Sequence, residues 1–164
     1  MKNYILKKEK IDKIMIRLAY EIAERNVGEE EIILAGIREN GSVIARKLKE
    51  LVQPVFKGRI HILDVTVDNK RYPQRIELSE KQNFDQKVII VVDDVANSGK
   101  TMLYVLGLFL QDHPRNIQTL ALVDRTHKTF PVHTDYFGYA VATTLQEHIF
   151  VEVNKGEITG AWLE

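Results

Sequence analysis

The sequence contains no cysteine, so it can form neither a disulfide nor a thiolate metal site, and no catalytic thiol is available. It also has no excess of either charge, because 23 lysines and arginines balance 23 aspartates and glutamates. Any site for a polyanion must therefore be a local patch. Long hydrophobic runs are absent too: residues 88–92 fall far short of the roughly 20 residues of a membrane span. The first residues form no apolar h-region, and we expect a cytoplasmic protein without membrane contact.

Apolar residues are arranged in patterns that predict alternating strands and helices. The chain has 164 residues, 45% apolar and 28% charged, the balance of one globular domain. Apolar residues recur every three or four positions from Ile11 to Ile22, which predicts a helix that ends before Gly28. Short apolar runs near residues 32–35, 60–67, 88–92 and 117–124 predict buried strands, and residues 160–164 a tail. Residues 68–86 are polar and predict an exposed loop or a short hairpin. This alternation predicts a three-layer α/β domain with a central parallel sheet.

Residues 88–102, VIIVVDDVANSGKTM, end like a nucleotide-binding P-loop. The P-loop pattern requires a glycine five positions before Gly99, but that position is Asp94. Asp93 stands beside it, and carboxylates at the mouth of such a loop would repel a polyphosphate. A P-loop ATPase is therefore a poor interpretation of this segment.

The same residues suit a sugar phosphate. Ligands of parallel α/β sheets bind beyond the carboxyl ends of the strands, where Asp93 and Asp94 follow the apolar run. Carboxylates accept hydrogen bonds from sugar hydroxyls and bind hydrated Mg²⁺. The small residues that follow let backbone N–H groups and a helix N-terminus approach a monophosphate, with Lys100 as an added charge. We therefore expect a ribose phosphate at this segment, although the aspartates could instead cap the following helix.

This combination resembles the motif with which type I phosphoribosyltransferases bind 5-phosphoribosyl 1-diphosphate (PRPP). ILAGIRENGSVIARKL is similar to the pyrophosphate loop and helix of that family. TLALVDRTHKTFPVHTDYFG is similar to a segment that lies beside the base pocket in one branch, and RLAYEIAERNVG to the first helix of the same branch. That branch is the pyrimidine-operon attenuator with uracil phosphoribosyltransferase activity (PyrR type). The resemblance extends over about two thirds of the chain.

The resemblance implies a Mg²⁺-dependent enzyme that transfers ribose 5-phosphate from PRPP to a nucleobase, with uracil favoured. It implies one domain over residues 1–164, with a core at about 29–145, a small hood from the terminal segments and a lid at about 68–86. Family members commonly dimerise, so a homodimer or higher homo-oligomer is expected.

The resemblance also assigns residues by their match to the family motifs. Asp93 and Asp94 would hold the ribose hydroxyls and the metal, and Arg38 and Arg71 would be the other catalytic residues. PRPP would be bound by Gly36, Ile37, Arg38, Glu39, Asn40, Gly41, Asp93, Asp94, Ala96, Asn97, Ser98, Gly99, Lys100 and Thr101. The base would lie near Asp124, Val141 and Thr143.

Two departures from the branch leave other functions open. Asn40 stands where the branch has a second basic residue, with Glu39 beside it, and the lid segment is shorter, with Lys70 and Arg71 as its charges. These departures favour an RNA-binding attenuator of pyrimidine genes that senses nucleotide with weak or no catalysis. A purine phosphoribosyltransferase is a further alternative. Contacts to an mRNA leader would come from Arg17, Tyr20, His127 and Lys128, with His133 nearby.

Overall fold

The computed structural model describes residues 1–69, 72–144 and 146–164. Its strands are β1 (Asn3–Lys7), β2 (Glu31–Ile37), β3 (Arg59–Val67), β4 (Ile76–Leu78), β5 (Val88–Ala96), β6 (Asn116–Arg125), β7 (Tyr136–Val141), β8 (Ile149–Asn154) and β9 (Glu157–Leu163). Its helices are α1 (Lys8–Arg25), α2 (Asn40–Val52) and α3 (Lys100–Phe109), and a short 3-10 helix spans Gln53–Val55. Within the described residues, no helix has the length and apolar character needed to cross a membrane.

Six strands form the main sheet, in the order β4-β3-β2-β5-β6-β7. Neighbouring strands from β3 to β7 are parallel, and β4 runs antiparallel to β3. The central strands are apolar on both faces because α1 and α2 cover one face and α3 covers the other. The predicted three-layer α/β architecture with a central parallel sheet is confirmed.

A second sheet of three strands is built from the two ends of the chain, and we call it the hood. Its order is β1-β9-β8, with both pairs antiparallel. Its buried side chains join the same apolar core as α1 and α2; they are Leu6, Ile149, Ile158 and Ala161. The prediction of a tail at residues 160–164 is wrong, because these residues belong to β9 or follow it directly. Strand β1 was not predicted, because its partner lies at the opposite end of the chain.

The polar segment at residues 68–86 contains a short hairpin strand. Residues of β4 pair with the end of β3, from Val65↔Leu78 to Val67↔Ile76. Of the two interpretations of this segment, the hairpin is therefore the one observed. The two basic residues predicted for the lid, Lys70 and Arg71, lie outside the described residues.

Candidate active site

The two aspartates of the motif lie within a strand, although the sequence analysis placed them in a loop after it. β5 pairs with β2 as far as Val92 and with β6 as far as Ala96, so its last residues extend beyond β2. Asp93 and Asp94 lie on this extension, at the carboxyl end of the parallel sheet. The extension keeps its strand geometry because β6 still pairs with it.

Backbone donors orient both carboxylates. Asp93 Oδ1 accepts a hydrogen bond from the N–H of Asp94 at 2.9 Å, and Asp94 Oδ1 accepts one from the N–H of Val95 at 2.8 Å. Asp93 is buried, with 4% of its surface exposed, whereas Asp94 is half-buried. Since a carboxylate offers about four lone-pair positions, these bonds fix the direction of Asp94 and still leave capacity for the hydroxyls of a ligand.

The turn between β5 and α3 presents a helix N-terminus. Gly99 adopts the left-handed conformation, with φ of 84°, which glycine alone adopts without strain. Ser98 stabilises the turn: its hydroxyl accepts from the N–H of Lys100 at 3.2 Å, and its carbonyl accepts from the N–H of Phe130 at 2.9 Å. Helix α3 then starts without a side-chain cap, and the positive end of its dipole favours an anion.

A cleft of about 700 Å³ brings these parts together. Residues 93–102 line it, so every PRPP-binding residue predicted in this segment faces one space. The rest of the lining includes Arg125 at the end of β6 and His127 after it, Glu147 and His148 just before β8, and Phe150 in β8. The volume lies within the usual range for small-molecule sites.

The predicted pyrophosphate loop is shorter than expected and presses against the aspartates. Gly36 and Ile37 end β2, and α2 begins at Asn40, so only Arg38 and Glu39, both exposed, remain as loop. A Cβ atom on Gly41 would stand 2.5 Å from the carbonyl oxygen of Val92 and 3.2 Å from Cα of Asp93. Glycine at this position is what permits the contact. Over the described residues, the cleft lining includes none of residues 36–41.

Arg38 shares a carboxylate with an arginine that sequence reasoning missed. Nη2 of Arg38 lies 3.3 Å from Asp64 Oδ2, and Nη2 of Arg46 lies 2.7 Å from the same oxygen. Burial acts to raise the pKa of Asp64, but hydrogen bonds from Arg46, Ser42 and Arg38 outweigh it and hold that pKa below its ordinary value. Two half-exposed guanidinium groups face one carboxylate, so Asp64 compensates only one of the two positive charges; the exposed Glu39 stands beside Arg38 in the loop. No signal singled out Arg46, because surface arginines are common on helices.

Asn40 lies between the loop, the strand of the aspartates and the hood. Its Nδ2 donates to Asp94 Oδ2 at 2.9 Å and to the carbonyl oxygen of Val151 in β8 at 3.1 Å. Sequence analysis placed this residue among the PRPP contacts, and the structure aims its amide at the protein instead.

The three residues expected near the base do not line the cleft. The carboxylate of Asp124 pairs with Lys128 Nζ at 2.7 Å and accepts from the hydroxyl of Thr134 at 2.9 Å. Val141 ends β7, and the buried hydroxyl of Thr143 has no hydrogen-bond partner among the described residues. Asp124 and the cleft-lining Arg125 are consecutive strand residues, whose side chains point to opposite faces.

Arg125 organises the cleft wall that sequence reasoning missed. Its guanidinium donates to the carbonyl oxygens of Thr144 at 3.1 Å and Glu147 at 2.7 Å. These bonds hold the segment that leads into β8, where His148 and Phe150 line the cleft. No local signal singled out Arg125, because β6 also contains Asn116, Gln118, Thr119 and Asp124.

The residues considered for RNA binding do not form one exposed basic surface. Arg17 donates to the carbonyl of Gly138 at 2.7 Å and lines a groove with two glutamates, Glu21 and Glu24. His127 lines the other cleft, described above, and Tyr20 and His133 are exposed.

Lys128, one of the residues named for RNA contacts, is engaged within the protein: its side chain is only 10% exposed and pairs with Asp124.

Among the described residues, no group of three or more histidine, aspartate and glutamate side chains is arranged to hold a metal ion. Asp93 and Asp94 are a pair of neighbouring carboxylates in the lining of the cleft.

The model of the phosphoribosyl transferase domain family matches residues 2–153. Among curated proteins, the bifunctional protein PyrR of Fusobacterium nucleatum is 32% identical over 165 residues, with 95% of this chain and 92% of the relative covered. The bifunctional protein PyrR of Clostridium novyi is 32% identical, covering 94% and 92%.

Solved structures show the same fold at lower identity. A hypoxanthine-guanine phosphoribosyltransferase of Bacillus anthracis superposes with a TM-score of 0.77 at 19% identity, covering 98% of this chain and 97% of the other. The hypoxanthine phosphoribosyltransferase of Trypanosoma cruzi superposes with a TM-score of 0.79 at 14% identity, covering 100% and 98%.

Proposed function

The chain belongs to the phosphoribosyltransferase family, in its PyrR-type branch, and we propose that it transfers ribose 5-phosphate from PRPP to uracil, releasing pyrophosphate. It is a pentosyltransferase by family. The observation that carries the proposal is the cleft, in which Asp93 and Asp94 stand beside the uncapped N-terminus of α3.

PRPP fits this arrangement group by group. The ribose hydroxyls donate to Asp93 and Asp94, and the 5′-phosphate binds the N–H groups of residues 96–101 and the charge of Lys100. Arg38, held beside Arg46 by Asp64, supplies positive charge for the pyrophosphate. We also propose that residues 68–86, with Arg71, close over the bound substrate as a lid.

Catalysis on these residues is a matter of position and electrostatics. As the bond from C1 to pyrophosphate breaks, the sugar becomes oxocarbenium-like and negative charge accumulates on the leaving group. Asp93 and Asp94 bind the ribose hydroxyls and so hold the sugar in position. Arg38 and Arg46 stabilise the negative charge that develops on the pyrophosphate as it leaves. A base held on the far side of C1 then reacts at close range.

The cofactor in this proposal is Mg²⁺. It fits the donor set, because Mg²⁺ is bound by one or two carboxylates together with substrate phosphates and water. Asp93 and Asp94 would hold it, and its charge would neutralise pyrophosphate in the transition state. No larger cluster of ligands is needed.

Uracil is favoured because the curated relatives at 32% identity, which cover 94–95% of this chain, are bifunctional PyrR proteins. The base would lie between the motif and the start of β8, against the exposed ring of Phe150; Asp124, Val141 and Thr143, which the resemblance placed near the base, lie outside this lining. A purine is the alternative base, and a panel of bases distinguishes the two.

The aspartates provide the direct test of the site. Asp94→Asn should raise the KM for PRPP about ten- to a hundredfold, because a hydrogen bond to a charged group is worth about 1.5–3 kcal/mol. Asp93→Asn should do the same. Asp12→Asn, which removes an exposed carboxylate paired with Lys8 on α1, is the matched control and should leave the KM unchanged. Calorimetry of PRPP binding checks the result, and undiminished binding in both variants would contradict these roles.

A second candidate function is a nucleotide-sensing regulator that binds a pyrimidine-operon mRNA leader. It is favoured by the bifunctional relatives and by the absence of a basic side chain at Asn40. The residues named for RNA contacts support it less, because one of them, Lys128, is paired with Asp124. Electrophoretic retention of a leader RNA by the protein would favour this function. If the RNA were not retained even at low salt, this function would be ruled out.

Location and assembly complete the proposal. A cytoplasmic location is supported by the absence of cysteine. A homodimer or higher homo-oligomer is supported by β7, an edge strand of the main sheet on which Phe137 is exposed, and by the exposed Tyr20 on α1. Light scattering measures the assembly.

A further inference from the structure

The amide of Asn40 joins three elements, namely α2, β5 and the hood strand β8. It sits at the start of α2, its first hydrogen bond goes to the carboxylate of Asp94 in β5, and its second goes to the backbone of Val151 in the hood. Both acceptors are oxygen atoms, so the nitrogen must be the atom that faces them. The reverse orientation of the amide would place its oxygen against two acceptors.

This bonding uses the whole donor capacity of the side chain. A carboxamide carries two N–H hydrogens, and the two bonds at 2.9 Å and 3.1 Å engage both. Only the carbonyl oxygen remains, which is an acceptor. Pyrophosphate oxygens are acceptors as well, so the side chain of Asn40 has nothing to donate to them while these bonds hold.

We propose that Asn40 is a positioning residue, which directs the Asp94 carboxylate toward the ribose and fastens the hood strand β8 to it. This inference rests on the proposed function of the cleft. Asp94 Oδ1 is held by the N–H of Val95 and Oδ2 by Asn40, so the carboxylate is fixed at both oxygens. The bond to Val151 fixes the same amide to the strand whose first residues line the base side of the cleft.

The close contact at Gly41 supports this role. Because Gly41 lies against Val92 and Asp93, the start of α2 has a fixed position relative to β5. Asn40 precedes this contact directly, so its amide is directed to Asp94 by a rigid backbone. A hydrogen bond to a charged group from a pre-positioned donor is among the stronger ones in proteins.

Substitutions of Asn40 distinguish a role in positioning the Asp94 carboxylate from direct binding of pyrophosphate by Asn40. Asn40→Ala should raise the KM for PRPP about tenfold, because it removes a charge-assisted bond. It should leave the affinity for pyrophosphate in the absence of Mg²⁺, measured by calorimetry, within about twofold of the unchanged chain. Asn40→Asp keeps the shape, removes both donors and should impair PRPP binding more. Asn154→Ala, at the exposed end of β8, is the control and should change neither affinity.

A double-mutant cycle gives a readout that a merely structural role would not move. If Asn40 acts through Asp94, Asn40→Ala should add little to the loss caused by Asp94→Asn. The proposal would be overturned if the fold-losses in PRPP affinity of Asn40→Ala and Asp94→Asn multiplied in the double variant. It would also be overturned if Asn40→Ala lowered the affinity for pyrophosphate as much as that for PRPP. A thermal melt of each variant identifies misfolding, and in that case Asn40→Ser replaces it in the same cycle.

Hydrogen exchange keeps the inference separate from the proposed activity. Amides of residues 149–153 should exchange faster in Asn40→Ala than in the unchanged chain, because β8 loses its bond to α2. This holds whether or not any base is converted. Unchanged exchange in β8 would contradict the hood part of the proposal, while a failed assay with every base would contradict only the proposed activity.

Discussion

At the scale of single residues, the candidate site depends on a glycine that carries no chemistry. Gly41 lets the first turn of α2 lie against the backbone of β5 where Val92 meets Asp93. Any larger residue must push the two elements apart, because the nearest atoms are backbone atoms that cannot turn aside. The same contact places Asn40 beside Asp94.

Gly41→Ala should therefore cost stability and substrate affinity together. We expect a loss of about 1–3 kcal/mol in the free energy of unfolding, as for an overpacked core, and a higher KM for PRPP. Gly107→Ala is the matched control, since Gly107 lies in α3 with nothing within 4 Å of its Cβ position. Alanine there should stabilise the chain by about 0.5–1 kcal/mol. Denaturant unfolding measures the free energy of unfolding of both variants. If Gly41→Ala left that free energy unchanged, the packing argument would be contradicted.

At the scale of elements, one carboxylate joins α2 and the loop before it to β3. Asp64 accepts from Arg46 in α2 and from Arg38 in the loop, and its own N–H donates to Ser79 Oγ at 3.0 Å. Its pKa is lowered in the folded chain, because these hydrogen bonds outweigh the burial that would raise it.

The lowered pKa of Asp64 predicts the direction of a pH effect. A carboxyl whose folded pKa lies below the unfolded value stabilises the fold above the unfolded pKa, near 3.8, and this contribution is lost as pH falls through the folded pKa. The stability difference between the unchanged chain and Asp64→Asn should therefore be full at neutral pH and shrink below about pH 4. Urea unfolding across this pH range measures it, with Asp12→Asn as the control. A difference that grew toward low pH would contradict the assignment.

The elements also show what sequence could predict. Strands β2, β5 and β6 were predicted because burial on both faces makes them continuous apolar runs. Strands β1 and β9 have mixed patterns and pair across the whole length of the chain, so local sequence could not specify them.

The same limit applies to the candidate site. The motif identified Asp93, Asp94 and the turn after them from local chemistry alone. The bonds of Asn40 to Val151, of Arg46 to Asp64 and of Arg125 to the segment before β8 are tertiary, and no local pattern encodes them.

At the scale of the whole molecule, hood and main sheet share one core. Leu18 of α1 is fully buried in a cluster that includes hood residues such as Ile158 and main-sheet residues such as Leu122. We therefore propose that the chain folds as a single domain.

That proposal predicts one cooperative unfolding transition. The chain's single tryptophan, Trp162, lies in β9 and reports on the hood, while far-ultraviolet circular dichroism reports on the helices and both sheets. The two signals should change together, and Leu18→Ala should shift both equally, with a loss of about 2–5 kcal/mol. If the tryptophan signal changed at a lower denaturant concentration than the circular dichroism signal, the hood would unfold separately from the rest of the chain.

The central claim is that the cleft binds PRPP and transfers its ribose 5-phosphate. The most direct measurement is nucleotide formation from PRPP and Mg²⁺ with uracil, hypoxanthine, guanine, adenine and xanthine. We predict uridine monophosphate from uracil, dependent on PRPP and abolished or strongly reduced by Asp94→Asn. A product from a purine base alone would contradict the choice of base. No product from any base, together with no detectable binding of PRPP, would contradict the account of the cleft.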